Sequence, residues 1–104
     1  MINPCIVVTT TPTKDDASNI ADKLINKKLA ACISIKKINS IYQYNNNIVD
    51  SIEYELNIKT NIEHYNEIIE LITSIHPYDI PQILCIKIEK STPQYLNWLH
   101  SVTQ

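Results

Sequence analysis

Ser51-Ile52-Glu53-Tyr54-Glu55-Leu56-Asn57-Ile58 sets an apolar side chain against a polar one at every step. A period of two places alternate residues on opposite faces of an extended chain, so this stretch predicts a β-strand with one buried face. Upstream, Leu29-Ala30-Ala31-Cys32-Ile33-Ser34-Ile35 passes into the same alternation and runs on irregularly through Ile38 and Ile41 to Tyr42 and Tyr44. Asn45-Asn46-Asn47 lies between them. The chain has no glycine, and asparagine tolerates positive φ better than any other residue present, so the turn is expected there. The two runs predict a long antiparallel hairpin, well beyond the mean strand of about 5–6 residues.

Cys5-Ile6-Val7-Val8-Thr9-Thr10-Thr11 is a β-branched run and predicts a strand covered on both faces. Pro12 ends it. Thr13 then offers an N-cap, with Asp16 three residues on as a near capping box. Ala17, Ile20, Ala21, Leu24 and Ile25 recur at helical spacing, which predicts an amphipathic helix over about 13–28. Thr60-Asn61-Ile62-Glu63 reads as a full capping box, followed by Tyr65, Ile68, Ile69, Ile72 and Ile75 in helical register. Pro77 stops that helix at His76. Pro81 to Glu89 predicts a last strand. Thr92-Pro93 opens a short helix carrying Tyr95, Leu96, Trp98 and Leu99.

The order strand, helix, strand, strand, helix, strand predicts an α+β, ferredoxin-like βαββαβ sandwich with a long central hairpin and a C-terminal helix. At 104 residues the chain is one domain, 1–104. The apolar alternation of the hairpin extends beyond what two helices of four turns can cover. Assembly into a homotrimer is therefore expected, because a bare apolar strand surface pairs with another copy or aggregates.

Composition excludes several functions. Without glycine there is no P-loop, dinucleotide fingerprint or kinase loop. All nine basic residues are lysines, which removes bidentate guanidinium recognition of phosphate. A formal charge of -2 gives no electrostatic reason to seek nucleic acid. No apolar run approaches the roughly 20 residues of a membrane span. Cys5, Cys32 and Cys85 form no C-x-x-C pair, and an odd count fits a reducing compartment. Met1-Ile2-Asn3-Pro4 shows no export signal, so a cytoplasmic location is expected. Isoleucine occurs 20 times and asparagine 11 times, the mark of AT-rich codons; positions that ordinarily hold glycine are expected to read Asn, Lys or Ser.

His76-Pro77-Tyr78-Asp79-Ile80-Pro81 is the segment best suited to chemistry. Two prolines bracket a rigid turn that presents an imidazole, a phenol and a carboxylate. The plain alternative is a helix-terminal histidine facing the dipole. Thr9-Thr10-Thr11-Pro12 gathers hydroxyls at a helix entry, and equally reads as strand formers before a cap. Cys32 offers a thiol for a soft metal or a small buried hydrophobe. Tyr95 and Trp98 read first as helix-to-sheet packing. Asp50, Glu53 and Glu55 read as the solvated face of a strand.

Thr10-Thr11-Pro12, Ile20-Ala21, Leu29-Ala30-Ala31-Cys32, Ser40-Ile41-Tyr42, Ile58-Lys59-Thr60, His76-Pro77-Tyr78-Asp79-Ile80-Pro81 and Tyr95-Leu96-x-Trp98 together resemble the CutA family, named for tolerance to divalent cations. The resemblance covers essentially the whole chain. It implies a ferredoxin-like homotrimer with the hairpin reaching across subunits, an association with copper or other divalent metals, no established catalytic reaction and no required cofactor. Copper sites assigned in members use a strand-one cysteine and two consecutive histidines; here these positions read Thr9, Ile75 and His76. The family's hairpin Tyr-x-Trp and following glycine read Tyr42-Gln43-Tyr44 and Asn46. The expectation is a non-enzymatic protein that binds a metal ion or small ligand at inter-subunit clefts, with His76, Tyr78, Asp79 and Lys59 as ligand-binding residues and His76 and Cys32 as metal ligands for weakly held Cu²⁺ or another divalent cation. Trimeric PII-type signalling proteins, which bind nucleotide on the same fold, are the alternative. An acylphosphatase-type enzyme is excluded for want of an arginine and a glycine-containing phosphate loop.

Overall fold

A computed structural model describes residues 2–104; Met1, the first residue of the expected domain, lies outside them. Strand β1 (Pro4–Thr11) is followed by helix α1 (Lys14–Asn26), strands β2 (Cys32–Tyr44) and β3 (Asn47–Asn61), helix α2 (Tyr65–Ile75), strand β4 (Ile83–Lys87) and helix α3 (Pro93–Val102). The strands form one antiparallel sheet in the order β2-β3-β1-β4. This is the expected α+β sandwich. Strand β1 is paired along both edges, by β3 and β4, and residues of both its faces are buried from Val7 to Thr11, as its β-branched run predicts.

Val7, Leu56 and Ile58 on one sheet face meet Ile20 and Leu24 of α1 and Ile68 and Ile72 of α2 in the main core. Helix α1 starts as expected: the Asp16 N–H donates to Thr13 Oγ1 at 3.1 Å, and the Thr13 hydroxyl donates to Asp16 at 2.8 Å. It ends two residues before the expected boundary. Lys28 takes φ 60°, its N–H donates to the Ile25 carbonyl, and the Leu29 N–H donates to the Leu24 carbonyl. That pairing is a Schellman stop, normally built on glycine at the left-handed position. Lys28, Asn45 and Asn46 are the positive-φ residues among those described, at positions where glycine commonly stands.

The expected capping box at Thr60–Glu63 does not form. Pairing with β1 extends β3 to Asn61, opposite Pro4. The Thr60 hydroxyl instead donates to the Leu29 carbonyl at 2.6 Å, fully buried, and the Ile62 N–H donates to the Asn3 carbonyl. Strand pairing thus outbids the local cap, and a 3₁₀ turn at Ile62–His64 leads into α2. The last strand is also shorter than expected, five residues from Ile83.

Helix α3 packs against β3 through Leu99, which is fully buried. A bond of 2.7 Å between His64 Nε2 and the Thr103 carbonyl ties its end to the start of α2. Tyr95 and Trp98 lean on each other at a tilt of 44° with ring centroids 5.5 Å apart; they are 36% and 44% exposed, and burial beside Cys32 of β2 raises the Tyr95 phenol, in keeping with the expected packing on the sheet.

Strand β1 ends opposite Tyr54. From Glu53 to Asn47, β3 therefore pairs only with β2, and the hairpin leaves the body as a two-stranded arm. The molecule measures 45 × 25 × 21 Å. Positive φ at both Asn45 and Asn46 closes the arm in the way a tight two-residue hairpin requires. Ile41 and Ile48 near the tip are 69% and 81% exposed, because no helix reaches them. Among the described residues no helix is long and apolar enough to cross a membrane.

Candidate functional site

The loop from His76 to Gln82 occupies the corner left where β1 stops. Pro77 and Pro81 restrict it, and the His76 N–H closes the last turn of α2 on the Ile72 carbonyl at 2.8 Å. Both ring nitrogens of His76 are used. Nδ1 lies 3.0 Å from the Tyr78 N–H, which can only donate, so Nδ1 is the acceptor. Nε2 then carries the proton and donates to the Thr10 carbonyl at 2.7 Å. The histidine fastens the loop to the end of β1.

With its backbone held, Tyr78 leans on the imidazole at a centroid distance of 5.1 Å and donates its hydroxyl to Glu53 Oε2 at 2.8 Å. Burial first, and then this bond to a carboxylate, holds the Tyr78 proton well above the ordinary phenol range. Glu53 is the first β3 residue beyond the reach of β1, and the Tyr78 side chain covers it there. It is only 6% exposed, while Ile52 beside it is 50% exposed. The expectation of a solvated carboxylate face is thus overturned at Glu53. Asp50 is exposed and bonds Asn39, and Glu55 is half-buried and pairs with Lys36 at 3.6 Å.

An open cavity of about 650 Å³ lies against this cluster. Tyr42 and Tyr44 from the arm and Tyr78 from the loop supply rings. Glu53 and Asp79 supply carboxylates, and Thr10, Gln82, Pro77 and Ile80 complete the wall.

The structure therefore gathers Tyr78 and Asp79 at the cavity with His76 as their anchor. Lys59 and Cys32 lie elsewhere: they face each other across β3 and β2, and Lys59 Nζ is 3.4 Å from Ser34 Oγ. Thr10, beside His76, pairs with Glu55, four residues from Lys59, or about 13 Å along the strand. Cys32 and His76 are too far apart to share one ion. No group of three or more His, Cys, Asp or Glu residues among those described is placed to hold a metal. Within one chain, His76 and Cys32, the expected metal ligands, therefore lie at separate places on the sheet. Thr10, Glu53, Tyr42 and Tyr44 belong to the cavity; sequence reading noted each of them but did not place them with His76, Tyr78 and Asp79. Their only signal was the mid-hairpin carboxylate and the paired tyrosines, whose partner, the loop at 76–82, is distant in the chain.

Two free thiols meet on the other face of the sheet. Cys5 pairs with Lys87 and Val7 with Cys85, so Cys5 and Cys85 are diagonal neighbours. Burial, with Cys85 as the second cause, pushes the Cys5 thiol up to about 12.

The family model described as CutA1 divalent ion tolerance protein matches residues 5–102. A divalent-cation tolerance protein CutA of Thermus thermophilus is 32% identical over 99 residues, covering 94% of this chain and 96% of that protein. The protein CutA of Mus musculus is 34% identical over 96 residues, covering 91% of this chain; the chain spans about half of its length, 54%. The solved structure of a periplasmic divalent cation tolerance protein CutA from Archaeoglobus fulgidus superimposes with a TM-score of 0.95 at 30% identity, over 97% of this chain and 99% of that one. A match over nearly the whole length, on the same fold, places this chain in the CutA1 divalent ion tolerance protein family.

Proposed function

We propose that the chain is a non-enzymatic, cytoplasmic homotrimer of the divalent-ion response, which binds a metal ion or small ligand in the cavity beside Tyr78, at a cleft between subunits. The observation that carries this reading is the fixed chain from the Thr10 carbonyl through His76 and Tyr78 to the buried Glu53, facing an open cavity. Tyr78 holds its proton more tightly than usual, the reverse of what a phenolate nucleophile needs, which favours binding over catalysis. No lysine lines the cavity, so a polyphosphate of the kind bound by PII-type proteins is a poor fit.

The trimer is supported by apolar surface left open on the arm at Ile41 and Ile48, and on β4 at Leu84 and Ile86, which are 50% and 53% exposed. The unpaired edges of the arm add to it. Three free cysteines support a reducing compartment. Metal held at His76 would displace one of its two hydrogen bonds, so such binding is weak, strongest for copper among first-row divalent ions, and weaker in acid.

The test is a Cu²⁺ titration of the wild type and His76→Ala, beside sedimentation equilibrium. Weak saturable binding that is lost in the variant is expected, at the mass of three chains. Equal affinity in both proteins removes His76 from the site, a nanomolar constant at full occupancy requires further ligands, and a monomer at micromolar concentration contradicts the assembly.

A further inference from the structure

Glu53 is a nearly buried carboxylate that, among the described side chains, accepts a hydrogen bond from a neutral phenol. Among the described residues the basic groups within 4 Å of a carboxylate are Lys36, beside Glu55, and His64, beside Glu63, so no protein cation stands that close to Glu53. A carboxylate taken out of water without a counter-charge is costly, and a cation placed beside it relieves that cost. This chain's share of the cavity wall adds a second carboxylate, Asp79, and three tyrosines, with no lysine, arginine or histidine. Tyrosine faces attract cations through the ring quadrupole, and the attraction rises as the cation sheds water.

Resting on the reading of this cavity as a ligand site, we propose that its ligand is an organic ammonium cation, with the charged head between Glu53 and the rings of Tyr42, Tyr44 and Tyr78. Two properties favour an organic cation over a bare metal ion. The volume, about 650 Å³, is that of a small-molecule site, far larger than one ion needs. The wall holds two carboxylates, whereas hard divalent ions collect six or more oxygens. An alkylammonium uses what is present: charge against Glu53, methyl and methylene groups against the rings, and the polar tips of Asp79 and Gln82 at the mouth.

The test uses choline chloride as the probe and its uncharged isostere 3,3-dimethyl-1-butanol as the control, with ¹⁵N-labelled full-length protein, constant ionic strength and backbone amide shifts as the readout. Separate titrations with CuSO₄ and MgCl₂ accompany them. Saturable choline shifts at Tyr78, Asp79 and Gln82 are expected, with the neutral isostere at least tenfold weaker. Glu53→Gln keeps an acceptor for the Tyr78 hydroxyl and so preserves the fold; choline affinity is expected to drop at least tenfold in it, and less in Asp79→Asn. Equal binding of the isostere, or unchanged affinity in Glu53→Gln with an unchanged circular dichroism spectrum, overturns the proposal. Shifts at these residues with Cu²⁺ or Mg²⁺ but not with choline overturn it while leaving the ligand site standing. No shift with any probe to 50 mM overturns both.

Discussion

Replacing Tyr78 with phenylalanine deletes one oxygen and leaves the ring, the loop and the imidazole contact in place. The deleted hydroxyl donates a hydrogen bond to the Glu53 side chain at 2.8 Å, and Glu53 is 6% exposed. A hydrogen bond to a charged group contributes about 1.5–3 kcal/mol. The cavity lets water approach the orphaned carboxylate, so the lower part of that range applies, about 2 kcal/mol per subunit. With a urea dependence of about 1.5 kcal/mol per molar, the unfolding midpoint falls by about 1.3 M. Circular dichroism at matched protein concentration reads this directly. The pH dependence gives a second signature. The folded chain holds the Tyr78 proton more tightly than the unfolded chain, so the contribution is fully present below the ordinary phenol range near about pH 10 and is lost as pH rises beyond it. The gap between wild type and variant should stay level from pH 6 to about 9.5 and narrow above about 10. A difference below about 0.5 kcal/mol at neutral pH, or a gap that widens in alkali, would refute the account of Glu53 as a buried, singly bonded carboxylate.

Lys28→Gly should stabilise the chain by about 1 kcal/mol, because φ 60° strains any residue with a Cβ, whereas Lys27→Gly at φ -87° should not; thermal unfolding of the pair separates the two. Thr60→Val keeps the shape of the side chain but strands the buried Leu29 carbonyl, and a loss of about 1–2 kcal/mol in urea unfolding is expected, largely restored in Thr60→Ser. Cys5 should be the last thiol alkylated by iodoacetamide at pH 8, at the rate of global opening. Its raised value also makes stability fall between pH 9 and about 12, as the unfolded thiol ionises first, and Cys5→Ala should flatten that limb.

Local periodicity was enough for the architecture. The alternation from Tyr54 to Ile58, the helical stripe from Ala17 to Leu24 and the run from Cys5 to Thr11 each state what is buried, because the side-chain period is a local property of the backbone. The absence of glycine likewise marked the turn at Asn45 and Asn46, which close the arm, but not the strained stop at Lys28, which the helical stripe placed inside α1. Boundaries obeyed longer-range forces. Thr60 looks like a cap in its own neighbourhood, yet pairing with β1 and the Leu29 carbonyl hold it in the strand.

Half of the candidate site was legible and half was not, for the same reason. His76, Tyr78 and Asp79 stand out because two prolines make a rigid loop visible in six residues. Glu53 does not, because its burial depends on where β1 stops and on a phenol 25 residues away. Alternation predicted a wet Glu53 and a buried Ile52, and the fold reversed both at the point where the helices end and the loop begins. Lys59 and Cys32 share motif-like surroundings with His76 in the sequence, but strand register sets them about 13 Å away along the sheet. Sequence alone determined the elements and the rigid candidate loop; only the tertiary structure decided which residues meet there, because burial and proximity depend on every element that packs around a position.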